Sequence, residues 1–147
     1  MVPRRRWIWA LAAVVLVGVA GVAVVTGVQR SRHGEVHNGG TTTVAVERSH
    51  RFSLAVPDRG ASVGDHWTAA VAPDGVVTLV RSEQAAGNLL DRLIGPNIGG
   101  GAGTRYFVFD ARRPGSATIT LHNCFQGCGD DRTRSESRDV TWTVTVR

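Results

Sequence analysis

The stretch Val140 to Val146 reads VTWTVTV. Val140, Trp142, Val144 and Val146 alternate with Thr141, Thr143 and Thr145. Side chains point to opposite faces along a strand, so this pattern sets large apolar groups against β-branched threonines. The same period recurs upstream. Phe52, Leu54 and Val56 alternate with Ser53 and Ala55, and Ala117, Ile119 and Leu121 alternate with Thr118, Thr120 and His122. Thr104 to Ala111 (TRYFVFDA) is apolar on both faces at its centre, as a central strand of a two-layer fold would be. Thr43–Glu47, His66–Ala72 and Val76–Arg81 bring the total to about seven candidate strands. Pro73-Asp74-Gly75 and Pro114-Gly115 mark tight turns. Short strands at this spacing predict an all-β sandwich or barrel over residues 41–147, long enough to bury one core.

One stretch departs from that period. Leu89, Leu90, Leu93 and Ile94 have helical spacing before Gly95-Pro96 and predict a turn or two of helix or an irregular excursion. Upstream, Trp7 to Val28 carries no charge. A helix of that length spans the roughly 30 Å hydrocarbon core of a bilayer. Trp7 and Trp9 sit where an interfacial aromatic belt would lie, and the arginines before the run outnumber those just after it. Residues 1–28 are therefore expected to anchor the chain, with the N-terminus inside and the C-terminal domain outside. The competing expectation is a signal segment cleaved near Gly21-Val22-Ala23, which would leave the domain secreted. Residues 29–40 (QRSRHGEVHNGG) read as a polar linker in which His33 and His37 are solvated.

The charge map agrees with that division. All 17 basic residues are arginines, so mechanisms built on a lysine are excluded. Arg4, Arg5, Arg6, Arg30 and Arg32 flank the hydrophobic run, and the remaining 12 arginines are balanced by all 12 acids. The net charge of +5 thus belongs to the flanks of an apolar segment and argues against a nucleic-acid interface.

Catalytic chemistry finds no foothold. The run Gly99-Gly100-Gly101-Ala102-Gly103 lacks dinucleotide-binding spacing and leads into a strand, not a helix. No serine occupies a nucleophile-elbow setting, and Asp130-Asp131 reads as turn chemistry. The chain is expected to be no enzyme and to need no cofactor. Cys124 and Cys128, in NCFQGCG, are an even pair in an exported domain and predict a disulfide across a loop tip. A zinc site would need two further ligands, and no other cysteine exists, so no metal is expected.

Three loops remain: Asp58 to Asp65 (DRGASVGD), the glycine run 99–103, and Asn123 to about Asp131. Their order resembles that of the chagasin-like inhibitors of papain-type cysteine proteases, which have an immunoglobulin-like β-sandwich. Gly64-Asp65-His66-Trp67 matches the family's Gly-x-x-Trp after its first recognition loop. Gly100-Gly101-Ala102-Gly103-Thr104, followed by Phe107, Phe109 and Ala111, matches its small-residue loop and the strand behind it. The departures fall in the loops. The family's Asn-Pro-Thr-Thr-Gly-Tyr becomes Gly60-Ala61-Ser62-Val63-Gly64-Asp65, and its Arg-Pro-Trp becomes Asn123-Cys124-Phe125.

The resemblance implies three loops wedged into a protease cleft. Gly60, Ala61, Ser62, Val63 and Gly64 would lie across the catalytic Cys–His pair, and Gly100, Gly101, Ala102 and Gly103 would contact one wall. Asn123 and Phe125 would contact the other, with Phe125 as an aromatic anchor held by the Cys124–Cys128 bridge. Strand alternation with the chain leaving the sheet at Asn123 places Phe125 at an exposed loop tip; the other reading folds it back over the end of the core. The rival function is an anchored immunoglobulin-like module that binds another cell-envelope protein without inhibiting a protease.

Overall fold

The alternation in Val140–Val146 is realised in full. Trp142 and Val144 are fully buried and Val146 nearly so, while Thr141 and Thr143 face solvent. The computed structural model describes residues 32–39, 42–86 and 103–147. Trp7 to Val28, Leu89 to Ile94 and Gly100 to Ala102 lie outside them. Among the described residues no helix is long and apolar enough to cross a membrane. His33–Arg147 forms one unit.

Among its described residues from Glu35 onward, that unit is all β apart from one short helix. In chain order the strands are β1 (Glu35–Asn38), β2 (Thr43–Val46), β3 (Arg51–Asp58), β4 (Asp65–Ala72), β5 (Val77–Ala86), β6 (Gly103–Ala111), β7 (Gly115–Phe125) and β8 (Arg138–Val146). The helix α1 (Asp131–Glu136) precedes β8. One sheet has the order β1-β3-β6-β5 and the other β2-β8-β7-β4. Phe52, Leu54, Phe107 and Phe109 from the first pack in one cluster with Ile119, Leu121, Trp142 and Val144 from the second. Phe52 and Phe109 stack with ring centroids 5.5 Å apart. Each such large side chain contributes about 1.5–3 kcal/mol by leaving water. This shared core makes the fold a sandwich of two four-stranded sheets.

Two sequence expectations are corrected here. The described residues contain eight strands, not about seven, because part of the expected linker is β1. Glu35 pairs with Phe52 and Asn38 with Ala55, in parallel with β3. Gly34 (φ +66) allows the docking, since a Cβ there would run into the Arg51 carbonyl. His33 and His37 are consequently not solvated. Their side chains are only 14% exposed; His33 pairs with Glu83 and packs on Tyr106. The second correction is length. β5 runs to Ala86 rather than ending near Arg81, with a bulge between Leu79 and Arg81, because its backbone stays paired with β6 to Gly103.

Candidate functional site

Strand register places the strand ends that flank the three loops at one end of the sandwich. Asp58, the last residue of β3, pairs with Gly103, the first of β6, which pairs in turn with Ala86, the last of β5. In the other sheet, Asp65 opens β4 opposite Phe125, which ends β7. The β3–β4, β5–β6 and β7–β8 connections therefore leave from the same pole.

The β3–β4 loop is built on two buried carboxylates. Both Asp58 and Asp65 have fully buried side chains. A buried carboxylate must be paired and hydrogen-bonded to persist as an anion. Asp58 accepts from Arg105 Nε at 2.6 Å and from the Gly60 N–H at 2.8 Å. Asp65 accepts from Arg59 Nη2 at 2.8 Å, from the Arg59 N–H at 2.8 Å and from Asn123 Nδ2 at 2.9 Å. Burial pushes the Asp65 carboxyl up, but the hydrogen bonds from Arg59 and Asn123 outweigh it and hold the group at about 2. The bond to Asp65, then that to Glu136, raises Arg59 above the ordinary guanidinium range.

Between these clamps the backbone turns tightly. Val63 and Gly64 both donate to the Gly60 carbonyl, at 3.1 and 3.2 Å. Gly60 and Gly64 are buried, and Ala61, Ser62 and Val63 are exposed at the tip, Val63 at 42%. Gly64 sits at φ +114, where a Cβ would meet Gln126 Cγ. That close approach lets Gln126 N donate to Gly64 O at 2.8 Å and Gln126 Nε2 donate to Val63 O at 3.2 Å. The first and third loops are thus zipped together.

The third loop differs from expectation at Phe125. It is only 4% exposed, and Arg59 lies over its ring at 4.2 Å. The chain leaves the sheet after Phe125, not at Asn123, so Leu121, Asn123 and Phe125 all point inward by alternation. Of the two sequence readings, folding back over the end of the core is the one observed. Asn123 is also buried, donating to Asp65 and accepting from the His66 N–H at 3.0 Å. Cys124 and Cys128 form a disulfide, with Cα atoms 5.2 Å apart. Asp130, read as turn chemistry, is exposed and also caps α1 through the Thr133 N–H at 2.8 Å, a bond that lowers its pKa. Arg59 reaches this element too, with Nη1 2.9 Å from Glu136.

The structure accordingly brings together Gly60 to Gly64, Gly103, Asn123, Cys124, Phe125 and Cys128. Sequence reasoning missed Arg59, Asp65, Arg105 and Gln126, which fix the loop without lying at its tip. The signal was an acid at each end of a glycine-bounded loop.

No family model matches the chain, and neither does any curated protein sequence. Solved structures do. The cysteine protease inhibitor EhICP2 from Entamoeba histolytica superposes with a TM-score of 0.56 at 15% identity, over 77% of this chain and 95% of that one. Amebosin gives 0.55 at 14% identity, covering 78% and 98%. PbICP-C, solved in complex with falcipain-2, gives 0.51 at 12% identity, covering 77% and 92%. The described domain is a β-sandwich of the kind these proteins share. At such identities the likeness is one of fold, and fold alone does not transfer a site.

Proposed function

We propose that this chain is a chagasin-like inhibitor, with an immunoglobulin-like sandwich, that blocks papain-like cysteine proteases by inserting the loop pole into the active-site cleft. The observation that carries the reading is the braced β3–β4 loop. A small-residue tip, Ala61-Ser62-Val63, projects from a base fixed by Asp58–Arg105 and Asp65–Arg59. An inhibitor that occupies a protease cleft without being cut needs such a preorganised loop, because ordering it on binding would cost affinity. The named activity of EhICP2 and the falcipain-2 complex of PbICP-C support the same partner class.

Buried Phe125 and Asn123 act in this reading as supports, and Gln126 replaces them at the contact surface. Gly100 to Gly103 form the second contact. Trp7 to Val28 anchors the chain in a cell membrane with the domain outside. Glu35 pairs with Phe52, at the start of β3, so the chain enters the sandwich at the pole opposite the loops.

The burial of Phe125 favours a second reading, a non-inhibitory binding module for another envelope protein, since it removes the aromatic anchor from the surface. One experiment separates the two. Papain activity is titrated with the chain from Arg32 to Arg147. Stoichiometric, reversible inhibition supports the inhibitor. Full papain activity at a large excess of folded domain overturns it in favour of the binding module.

A further inference from the structure

His122 and Cys124 lie two residues apart on β7, on the face opposite inward-pointing Leu121, Asn123 and Phe125. The turn after β7 brings Cys128 back to them. A ring nitrogen of His122, Cys124 Sγ and Cys128 Sγ all lie within 4.8 Å of one another. His66 on β4 pairs directly with Cys124 and is exposed on the same outer surface. Directly opposed residues in an antiparallel pair have Cβ atoms about 5 Å apart. On the other side, Asp139 of β8 pairs with His122, and its carboxylate is hydrogen-bonded to Nδ1. That bond leaves Nε2 to carry the lone pair and orients the ring, as carboxylates do behind metal-ligating histidines.

We propose that, once the Cys124–Cys128 disulfide is reduced, this face binds one Zn2+ through Cys124, Cys128, His122 and His66, with Asp139 as the positioning residue for His122. The Cys-x3-Cys spacing falls within the range that structural zinc sites use. In a tetrahedron with Zn–S bonds of about 2.3 Å the two sulfurs sit about 3.8 Å apart, within reach of side-chain rotation at the observed backbone separation. While the disulfide is closed there is no thiolate to coordinate, so the site exists in one redox state only.

The chemistry balances with a dithiol as reductant. The dithiol gives two electrons and two protons to the Cys124–Cys128 bond and closes its own disulfide. Two cysteine thiols result. Zn2+ then binds both sulfurs as thiolates and releases the two protons to solvent. Either staple ties the loop 126–130 to the end of β7. The loop that zips onto Gly64 would therefore keep its closure in a thiol-rich environment where the covalent bridge is lost.

The test uses the full chain in mild non-ionic detergent, with no affinity tag, reduced by a phosphine that does not compete for metal. Co2+ is the spectroscopic probe and Zn2+ the competitor. After reduction, one equivalent of Co2+ should give thiolate-to-metal charge-transfer bands and tetrahedral d–d bands, both erased by one equivalent of Zn2+. The oxidised chain should give neither. His122→Ala and His66→Ala, both on the exposed face, should each weaken Zn2+ binding by about tenfold or more, and Asp139→Asn by about tenfold. Cys124→Ser with Cys128→Ser should abolish the bands. The proposal is overturned if the reduced chain takes up no more metal than the oxidised one, or if binding is unchanged by either histidine substitution.

Discussion

Arg59 and Asp65, at the two ends of the β3–β4 loop, hold that loop shut: Arg59 Nη2 and the Arg59 backbone N–H each donate to the Asp65 carboxylate at 2.8 Å. The same guanidinium covers Phe125 and reaches Glu136. One side chain therefore links the first loop, the end of β7 and the helix before β8. The β3–β4 and β7–β8 connections are therefore one braced unit and not two independent loops.

This brace predicts an acid-labile fold. Asp65 has an ordinary carboxyl value of 3.8 when unfolded and about 2 when folded. The unfolded chain takes up the proton first as the pH falls. The contribution of Asp65 is therefore complete above about pH 4 and is lost progressively from about pH 4 down to about pH 2. Asp130, lowered by its bond from the Thr133 N–H, acts in the same direction. Thermal melts between pH 2 and pH 6 should show a falling melting temperature below about pH 4, and Asp65→Asn should flatten that slope. An unchanged slope in the variant would remove Asp65 as its cause.

Phe125→Ala tests the corrected role of that ring. Buried at 4% exposure beneath Arg59, it should cost about 3 kcal/mol in urea denaturation, as truncated buried aromatics do. Affinity for a cysteine protease, measured well below the melting temperature, should change much less than for a tip substitution. A variant of native stability that no longer binds would reinstate Phe125 as a contact residue.

Gly64→Ala should be more damaging than its size suggests. The position lies at φ +114, and the added methyl would meet Gln126 Cγ. We expect a loss of about 1–2 kcal/mol, with local loosening of the first and third loops. Hydrogen exchange at Gln126 N, which donates to Gly64 O, reports the loosening directly. Protection as strong as in the parent protein would show that the zipper tolerates a side chain.

The sheets were legible in the sequence because their cores alternate. Ile119, Leu121, Trp142 and Val144 are all fully buried where period 2 puts them. β1 was not legible, because its one large apolar residue, Val36, is 47% exposed and its pairing with β3 is a tertiary event. The far half of β5, Arg81 to Ala86, lacks alternation because an edge strand is held by backbone pairing to β6. Phe125 was legible in principle. Continuing the parity of Ala117 and Leu121 places it inward, and only the early exit assumed at Asn123 turned it outward. The Arg59–Asp65 clamp was the hardest to see, since charged residues beside a glycine loop ordinarily read as solvated turn chemistry.

The tip of the braced loop supplies the sharpest functional prediction. Val63 is 42% exposed between Gly60 and Gly64, and its side chain takes no part in the clamps below it. Val63→Arg places a long charged group where close backbone approach to a protease cleft would be needed, while leaving Asp58, Asp65 and Gln126 untouched. We expect papain inhibition to weaken by at least about tenfold, the loss of about 1.4 kcal/mol of binding. The melting temperature should stay within about 1–2 °C of the parent, as for surface substitutions generally. Arg59→Ala gives the complementary pattern, because it leaves the tip chemistry intact and removes its support. Its melting temperature and its inhibition should fall together. Unchanged inhibition by Val63→Arg, with the parent protein active, would move the contact surface away from the β3–β4 loop and onto Gly100 to Gly103 or Gln126.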